Sequence, residues 1–243
     1  MHTESSNTTE AQLIIITGVS SGIGLATARQ AIEQGYWVLG ISRHFDDPLI
    51  DHDRFRFESL DLADIDDLPA KLTELVDSID LPIAAVVNNA GIGKIAFLEQ
   101  LSFDDLQVCM NTNFMSHAML SKSLLPKLKK QGYGVLLFIG SEAALQGARQ
   151  GSIYCASKFA LRGFAQALRE ECNRAGIRVT VLNPGATATA FFDDLHYRPG
   201  NAPENAIAPE QIAATLMQVI GAPANAVVDE INLSPLSRVW ERQ

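Results

Sequence analysis

The sequence predicts an α/β fold in which a doubly wound parallel β-sheet carries helices on both faces. Short apolar runs alternate with segments of helical periodicity, a glycine-rich loop separates the first strand from the first helix, and neither a repeat nor a linker divides the chain. A chain of 243 residues can bury a substantial core. We therefore expect a single domain over residues 12–243, preceded by a flexible tail over residues 1–11.

The first half of the chain opens with a strand, a loop and a helix. Leu13–Thr17 is a short, isoleucine-rich run that ends at a glycine loop, and the apolar positions of residues 23–34 recur at helical spacing. The same criteria predict a second strand at Tyr36–Ser42, followed by a turn-rich stretch at 44–54 and a third strand at 55–60. An amphipathic helix over 64–78 and a fourth strand at Ile83–Val87 come next.

The second half continues this alternation. It predicts a helix over 103–129, a strand at Val135–Ile139, a helix over 153–174, a strand at Arg178–Leu182, a helix over 209–220 and a final strand near 226–233. Residues 186–208 interrupt the alternation, because they are rich in Pro, Gly, Asn, Asp and aromatic residues and show no period. They follow the carboxyl end of a strand, where open α/β sheets bind ligands, so we expect a substrate lid there, with a disordered loop as the alternative.

Composition and charge narrow the class of partner. A formal net charge of -9 argues against a broad surface for nucleic acid or anionic membranes. The chain shows no secretory signal and no apolar run of membrane-spanning length. Its cysteines are odd in number and form no CxxC pair, which is typical of a reducing compartment, and its histidines show no metal-binding spacing. We expect a soluble cytoplasmic protein that acts on a small molecule, without a metal, nucleic acid or membrane partner.

The loop from Thr17 to Gly24 lies between the first strand and the first helix. Its glycines allow a tight turn and a close approach of the backbone to a pyrophosphate, which can rest on the free N–H groups at the helix N-terminus. The spacing is not G-x-G-x-x-G, and three glycines could form only a tight turn. The position after the first strand favours a dinucleotide site.

The residues at the end of the second strand indicate which dinucleotide the site binds. Sites for NAD usually place an acidic residue there to bind the ribose 2′-hydroxyl, whereas a basic residue accommodates the 2′-phosphate of NADP. This strand ends with Ser42, where the acid is expected, followed by Arg43, whose planar fork suits a phosphate. A solvated surface arginine is the alternative. The pair favours NADP(H) over NAD(H).

A tyrosine and a lysine, Tyr154 and Lys158, are four residues apart and so share one face of a helix. A phenol with a pKa of roughly 10 donates its proton poorly at neutral pH unless a nearby positive charge stabilises the phenolate. Lys158 is placed to supply that charge. Such pairs also occur by chance on amphipathic helices, so the pair indicates a catalytic role only together with other motifs in the chain.

The glycine loop, the Asn88–Gly91 segment, Ser141, Tyr154 and Lys158 occur in one order on one alternating chain. In this combination the sequence resembles the short-chain dehydrogenase/reductase family over nearly its whole length. The resemblance implies a Rossmann-type domain with about seven strands and a nicotinamide cofactor. It also implies a homodimer or homotetramer built on the helices around 103–129 and 153–174.

The resemblance also assigns cofactor-binding positions. Gly18, Gly22 and Gly24 match the phosphate loop, and Asp61 with Leu62 matches the segment that contacts adenine. The segment after Pro184 matches the contacts to the nicotinamide carboxamide and the pyrophosphate. Together with the loop serines and the Ser42–Arg43 pair, the expected cofactor-binding residues are Gly18, Ser20, Ser21, Gly22, Ile23, Gly24, Ser42, Arg43, Asp61, Leu62, Asn89, Ala90, Gly91, Tyr154, Lys158, Pro184, Gly185, Thr187 and Thr189.

The catalytic set that the resemblance implies is Asn113, Ser141, Tyr154 and Lys158. Tyr154 would protonate the substrate oxygen while Ser141 polarises it, Lys158 would stabilise the tyrosinate, and Asn113 would hold a relay water. Asn111 is a weaker rival for the asparagine position.

Two positions depart from the family, because Phe138 and Gly140 stand where Asn and Ser are more common. Glu142 places a carboxylate of unassigned role beside Ser141.

The expected function is NADP(H)-dependent reduction of a ketone or aldehyde. The alternatives are an NAD-dependent alcohol dehydrogenase and a catalytically silent member of the fold that senses cofactor or acts as a scaffold. The expected substrate wall consists of Ala143, Ala144, Gln146, Gly147, Gln150, Phe191, Phe192 and Tyr197.

Overall fold

The computed structural model describes residues 11–242, so nearly all of the expected tail over 1–11 lies outside the described residues. Within them the strands are β1 (Leu13–Thr17), β2 (Trp37–Ser42), β3 (Phe55–Ser59), β4 (Ile83–Asn88), β5 (Gly134–Ile139), β6 (Ile177–Pro184), β7 (Tyr197–Pro199), β8 (Glu230–Leu233) and β9 (Trp240–Arg242). The α-helices are α1 (Gly22–Glu33), α2 (Leu68–Asp77), α3 (Phe103–Met110), α4 (Ser116–Gln131), α5 (Ser152–Cys172) and α6 (Pro209–Ile220).

The main sheet has seven parallel strands in the order β3-β2-β1-β4-β5-β6-β8. The order reverses between β1 and β4, because β1 pairs with β2 on one side and with β4 on the other. Ligands bind doubly wound sheets in the crevice outside the carboxyl ends of the strands at such a point. The glycine loop after β1 and the Asn88–Gly91 segment at the end of β4 both lie there.

Two hydrophobic cores cover the two faces of this sheet. One packs α2, α4 and α5 against side chains such as Ile15 and Phe138. The other packs α1 and α6 against side chains such as Ile14 and Leu137. Neighbouring residues of one strand thus enter opposite cores, which is why the central strands are mostly apolar. The predicted fold class is confirmed: one Rossmann-like domain with seven parallel strands and helices on both faces.

The helix predicted over 103–129 is divided in the structure. Residues Asn111–Met115 form a π-helical turn between α3 and α4. A π-turn inserts an extra residue into the helical repeat and leaves the apolar period almost unchanged, so periodicity alone does not reveal it. Strands β7 and β9 were also missed, because three residues are too few to establish a period of two.

The segment 186–208, predicted as a lid, contains short 3₁₀ turns at Ala190–Phe192 and Pro203–Asn205 with β7 between them. A parallel bridge joins Thr187 to Ile207 at its base. Strand β9 pairs antiparallel with β7, so the segment also contacts the last residues of the described chain. None of the helices that the structure describes has both the length and the apolar character to cross a membrane.

Candidate active site

The loop after β1 has the geometry of a phosphate cradle. Gly18 and Gly22 have φ angles of 67° and 54°, in the left-handed region that favours glycine. A Cβ atom on Gly24 would lie 2.2 Å from the carbonyl oxygen of Gly18, so the loop and the first turn of α1 need a glycine there. Ser20 and Ser21 are exposed, and Ile23 packs against the core below. The N-terminus of α1 can therefore receive a pyrophosphate on its N–H groups.

Thr17 and Asn89 join this loop to the wall of the crevice. The Thr17 hydroxyl accepts hydrogen bonds from the backbone N–H of Asn89 at 2.9 Å and of Ala90 at 3.1 Å. The side-chain amide of Asn89 donates to the carbonyls of Thr17 at 2.9 Å and Gly18 at 3.1 Å. Ala90 is buried beside Gly91, which is exposed. Thr17 was not among the predicted site residues, although its position as the first residue of the loop from Thr17 to Gly24 was a signal for it.

The end of β2 places Arg43 in solvent and directs Ser42 inward. The buried Ser42 hydroxyl donates to the carbonyl of His44 at 2.7 Å, so it shapes the turn. No ion pair among residues 11–242 involves Arg43, which leaves its guanidinium able to bind an anion. Asp61 accepts from the N–H of Ala63 at 2.9 Å, and Leu62 is buried.

Ser141 and Tyr154 meet at the carboxyl end of β5. Ser141 begins a 3₁₀ turn, and its hydroxyl accepts from the N–H of Ala143 at 3.1 Å. The Ser141 side chain faces that of Tyr154. Burial of the Tyr154 hydroxyl raises its pKa, and the polar Ser141 side chain acts in the opposite direction. In this state Tyr154 holds its proton.

Lys158 lies one turn further along α5 and is 4% exposed. Its Nζ donates to the carbonyl of Ile139 at 2.9 Å and lies 5.9 Å from the centre of the Tyr154 ring. Burial lowers the pKa of Lys158 from 10.5 to about 8, because the ammonium loses hydration. The amine can therefore exchange a proton near neutral pH.

Asn113 lies in the π-turn and faces the same point. Its Oδ1 accepts from the N–H of Ile92 at 2.8 Å, and its Nδ2 donates to the Ile92 carbonyl at 3.0 Å and to the Ser157 hydroxyl at 3.0 Å. A Cβ atom on Gly91 would lie 3.4 Å from both Asn113 Oδ1 and Lys158 Nζ, so the two side chains converge there. Asn111 instead donates to the carbonyl of Ala63 at 3.0 Å.

Ser157 was missed by the sequence analysis. Its hydroxyl accepts from Asn113 and donates to the carbonyl of Tyr154 at 2.7 Å, so it links the π-turn to α5. The only sequence signal was a small polar residue directly before Lys158.

The segment after β6 closes the other side of the crevice. Gly185, directly after Pro184, donates to the carbonyl of Leu233 at 2.7 Å, and the Thr187 hydroxyl donates to the Gly185 carbonyl at 3.1 Å. A Cβ atom on Gly22 would lie 2.8 Å from the methyl group of Thr189, so this segment contacts the phosphate loop. A cavity of about 270 Å³ opens beside Gly22 and Thr189.

A row of aromatic rings begins beside Tyr154. The Phe191 ring centre lies 5.7 Å from that of Tyr154 and 5.2 Å from that of Phe192. Tyr197 continues the row at 6.3 Å from Phe192. Of the other expected wall residues, Ala143 is partly buried, Ala144 is fully buried, and Gln146, Gly147 and Gln150 are exposed. Ala144 therefore packs inside the protein and does not line a wall.

The two departures from the family pattern have structural explanations. Phe138 is fully buried and packs edge-to-face on Phe164, with ring centres 5.9 Å apart. A Cβ atom on Gly140 would lie 2.0 Å from Asn183 Oδ1, so this chain has no room for the more common serine. Glu142 forms an ion pair with Arg238 at 2.9 Å.

The residues present fit a nicotinamide dinucleotide. The cradle offers glycines where side chains would clash, a helix N-terminus for the pyrophosphate and an exposed arginine at the end of β2. The hydroxyls of Ser141 and Tyr154 lie on the same edge of the sheet, where a carbonyl could meet a hydride donor. This arrangement can carry out hydride transfer coupled to proton transfer.

Comparison with known proteins gives the same classification. The family model described as short chain dehydrogenase matches residues 12–198. Sepiapterin reductase of Chlorobaculum tepidum is 34% identical over 73% of this chain and 70% of its own. The structure of an alcohol dehydrogenase from the archaeon Thermococcus sibiricus, complexed with 5-hydroxy-NADP, superposes with a TM-score of 0.80 at 25% identity, covering 95% of this chain and 99% of the other.

A second solved structure shows the same fold with the other dinucleotide. A 4-hydroxyisoleucine dehydrogenase complexed with NADH superposes with a TM-score of 0.82 at 20% identity and covers 92% of this chain and 97% of its own. The glycine cradle, the Ser141, Tyr154 and Lys158 cluster and the family match over most of the chain agree with one another. The chain belongs to the short-chain dehydrogenase/reductase family of oxidoreductases.

Proposed function

We propose that this protein is an NADP(H)-dependent reductase that converts a ketone or aldehyde to an alcohol. The observation that carries the proposal is the buried Lys158, held by the Ile139 carbonyl with its Nζ 5.9 Å from the Tyr154 ring centre. It lies at the edge of the sheet where Ser141 faces Tyr154. A silent scaffold would have no need to bury a lysine beside a protonated tyrosine. The substrate wall beside these residues is largely aromatic, which favours an uncharged or weakly polar carbonyl compound.

In the proposed reaction the bound cofactor supplies the hydride, and the protein supplies the proton and the positioning. Ser141 donates a hydrogen bond to the carbonyl oxygen and stabilises its developing negative charge. Tyr154 transfers its hydroxyl proton to that oxygen as the carbon–hydrogen bond forms. The tyrosinate regains a proton by way of Lys158 and a water held at Asn113. The same residues catalyse alcohol oxidation in reverse.

Tyr154→Phe tests the proton-transfer step. We expect kcat for carbonyl reduction to fall by about 10²- to 10⁴-fold, the usual contribution of a general acid. The dissociation constant for NADPH should stay within about twofold, because the phenyl ring keeps the packing against Phe191. Tyr133→Phe is the control, since Tyr133 is exposed in the turn before β5. Turnover retained in Tyr154→Phe would refute the assignment.

The preference for NADPH rests on Arg43, an exposed cation at the end of β2 without an acidic partner among the described residues. Fluorescence titration of Arg43→Ala should show the dissociation constant for NADPH rising about tenfold or more, because a charge-assisted hydrogen bond is lost. Binding of NADH should change little. Arg174→Ala, at an exposed arginine after α5, is the matched control. Tighter binding of NADH by the wild type would favour the NAD-dependent alcohol dehydrogenase.

We further propose a cytoplasmic homodimer or homotetramer that acts on a small molecule, without nucleic acid or membrane partners. The net charge of -9 supports the absence of polyanionic partners. The cysteines Cys109, Cys155 and Cys172 are all unpaired and buried, which supports a reducing compartment.

A further inference from the structure

The last described residues, 234–242, form a segment that we call the C-terminal clasp. Strand β9 within it pairs antiparallel with β7, and the carbonyl of Val239 accepts from the N–H of Gly200 at 2.9 Å. The N–H of Ser237 donates to the carbonyl of Glu204 at 2.9 Å. The clasp therefore binds segment 186–208 at several points along its second half.

The clasp also reaches the loop that carries the catalytic serine. Arg238 Nη2 lies 2.9 Å from Glu142 Oε2, and Glu142 directly follows Ser141. Pro235 packs near Gly185, since a Cβ atom on this glycine would lie 2.8 Å from Pro235 Cδ and 3.3 Å from Glu142 Oε2. One short segment thus connects the Ser141 loop, the end of β6 and segment 186–208.

A row of aromatic rings links the clasp to the catalytic tyrosine. The Trp240 ring centre lies 5.9 Å from that of Phe192 and 5.2 Å from that of Tyr197. Phe192 contacts Phe191, which contacts Tyr154. A change in the position of the clasp would therefore move the rings beside the catalytic hydroxyl.

We propose that the clasp determines affinity for the carbonyl substrate by holding segment 186–208 against the Ser141–Tyr154 pair, with the Arg238–Glu142 ion pair as its latch. The ion pair also neutralises the carboxylate of Glu142, the residue directly after Ser141, so an uncharged carbonyl compound meets no isolated charge there. The proposal deepens the carbonyl-reductase function and rests on it. It makes Arg238 a positioning residue for substrate binding, remote from the chemical step.

The expected effect of the latch is modest. The Arg238 side chain is 60% exposed and that of Glu142 is 34% exposed, so water and salt screen the attraction. Ion pairs of this kind change an equilibrium by about twofold to fivefold. The effect should fall on substrate binding, because Arg238 is not among the residues that line the cofactor cradle.

The kinetic test compares Arg238→Gln with the wild type. We expect KM for a carbonyl substrate to rise about threefold, with kcat and the dissociation constant for NADPH each within twofold. Arg238→Lys keeps the charge and should restore most of the loss. Arg56→Gln is the control, because it removes another exposed ion pair, Arg56–Glu58, on β3. In 0.5 M salt the difference between Arg238→Gln and the wild type should shrink.

Hydrogen exchange measured by mass spectrometry on the unliganded protein tests the clasp without turnover. Peptides from 186–208 should exchange faster in Arg238→Gln and at wild-type rate in Arg56→Gln. Unchanged exchange overturns the latch, and faster exchange with an unchanged KM overturns its role in substrate affinity. If the wild type turns over no carbonyl or alcohol, the proposed function fails and so does the claim about substrate affinity, while the exchange data still decide whether the latch exists.

Discussion

Lys158, which we propose acts in catalysis, lowers the stability of the fold at neutral pH. It is the only lysine in the described chain that is buried, and its pKa is lowered to about 8 because its ammonium is poorly hydrated. The unfolded chain would hold that proton up to a pKa of 10.5. Between these values the unfolded state binds more protons, so the free energy of unfolding rises with pH across this window. Below pH 8 the burial penalty is present in full.

Lys158→Met should therefore give a more stable but inactive protein. Removing the charge relieves a penalty of about 3 kcal/mol, and losing the hydrogen bond to Ile139 costs about 1 kcal/mol, so we expect a net gain of about 2 kcal/mol at pH 7. Urea denaturation at pH 7 and pH 9.5 measures it, and the gain should be smaller at the higher pH. Lys122→Met, at an exposed position of α4, is the control. A destabilised Lys158→Met protein at pH 7 would contradict the assignment of a buried cation.

The sequence predicted contacts between site residues where those residues lie close together in the chain. Tyr154 and Lys158 are one helical turn apart, so their proximity follows from helix geometry. Glu142 and Arg238 are far apart in the chain, and no local pattern could show that they pair. Thr17 and Asn89 are 72 positions apart, and their hydrogen bonds depend on the order of the strands in the sheet.

Strands β5 and β6 lie so close together that only glycine fits at position 140. Gly140 follows β5, and Asn183 near the end of β6 fills the space where a side chain would go. The Asn183 amide donates to Glu230 and Asn232 at 2.9 Å each, so it is held in place and cannot easily move aside. The departure from the family's usual serine follows from this contact between strands.

Gly140→Ser should destabilise the protein by about 1–3 kcal/mol, the typical cost of overpacking. Thermal unfolding would show a lower Tm, and Asn183→Ser added to the same chain should restore part of it by making room. Gly163→Ala is the matched control, because no atom lies within 4 Å of a Cβ there and it lies inside α5. We expect that control to be neutral or slightly stabilising. A Gly140→Ser protein as stable as the wild type would show that Asn183 moves freely.

Helices and strands of ordinary length were predicted to within a few residues, since apolar periodicity reflects the two cores. The π-turn at Asn111–Met115 was not, although it directs Asn113 toward Lys158. Its geometry depends on contacts with Ile92 and Ser157, which lie on other elements. The choice of Asn113 over Asn111 came from the family resemblance, and the two asparagines face different partners in the structure.

For the whole molecule, exposed apolar side chains on α3, α5 and the π-turn indicate where copies of the chain would associate. Phe103 is 89% exposed, Phe159 is 44% exposed, and Val108 and Met115 are also exposed. Contiguous exposed apolar patches mark interaction surfaces, and we propose that these side chains belong to one. These helices are the ones on which the family resemblance places the subunit interface.

Phe159→Glu should weaken that association, because a carboxylate would have to be buried at the interface. Size-exclusion chromatography with light scattering should show a shift from oligomer toward monomer. Ile50→Glu is matched in exposure, at 44%, but lies in the turn before β3, so it should leave the mass unchanged. A wild type that is monomeric at micromolar concentration would refute the proposal.

The burial of all three cysteines has a practical consequence for studying motion in this protein. Burial raises the pKa of the Cys109 and Cys172 thiols, and Cys155 is also shielded from solvent, so thiol reagents should label the native chain slowly. One cysteine introduced at Ala202, an exposed position beyond β7, would then be the main reactive thiol. A fluorophore attached there could report movement of segment 186–208 in real time, with the interior of the protein unaltered.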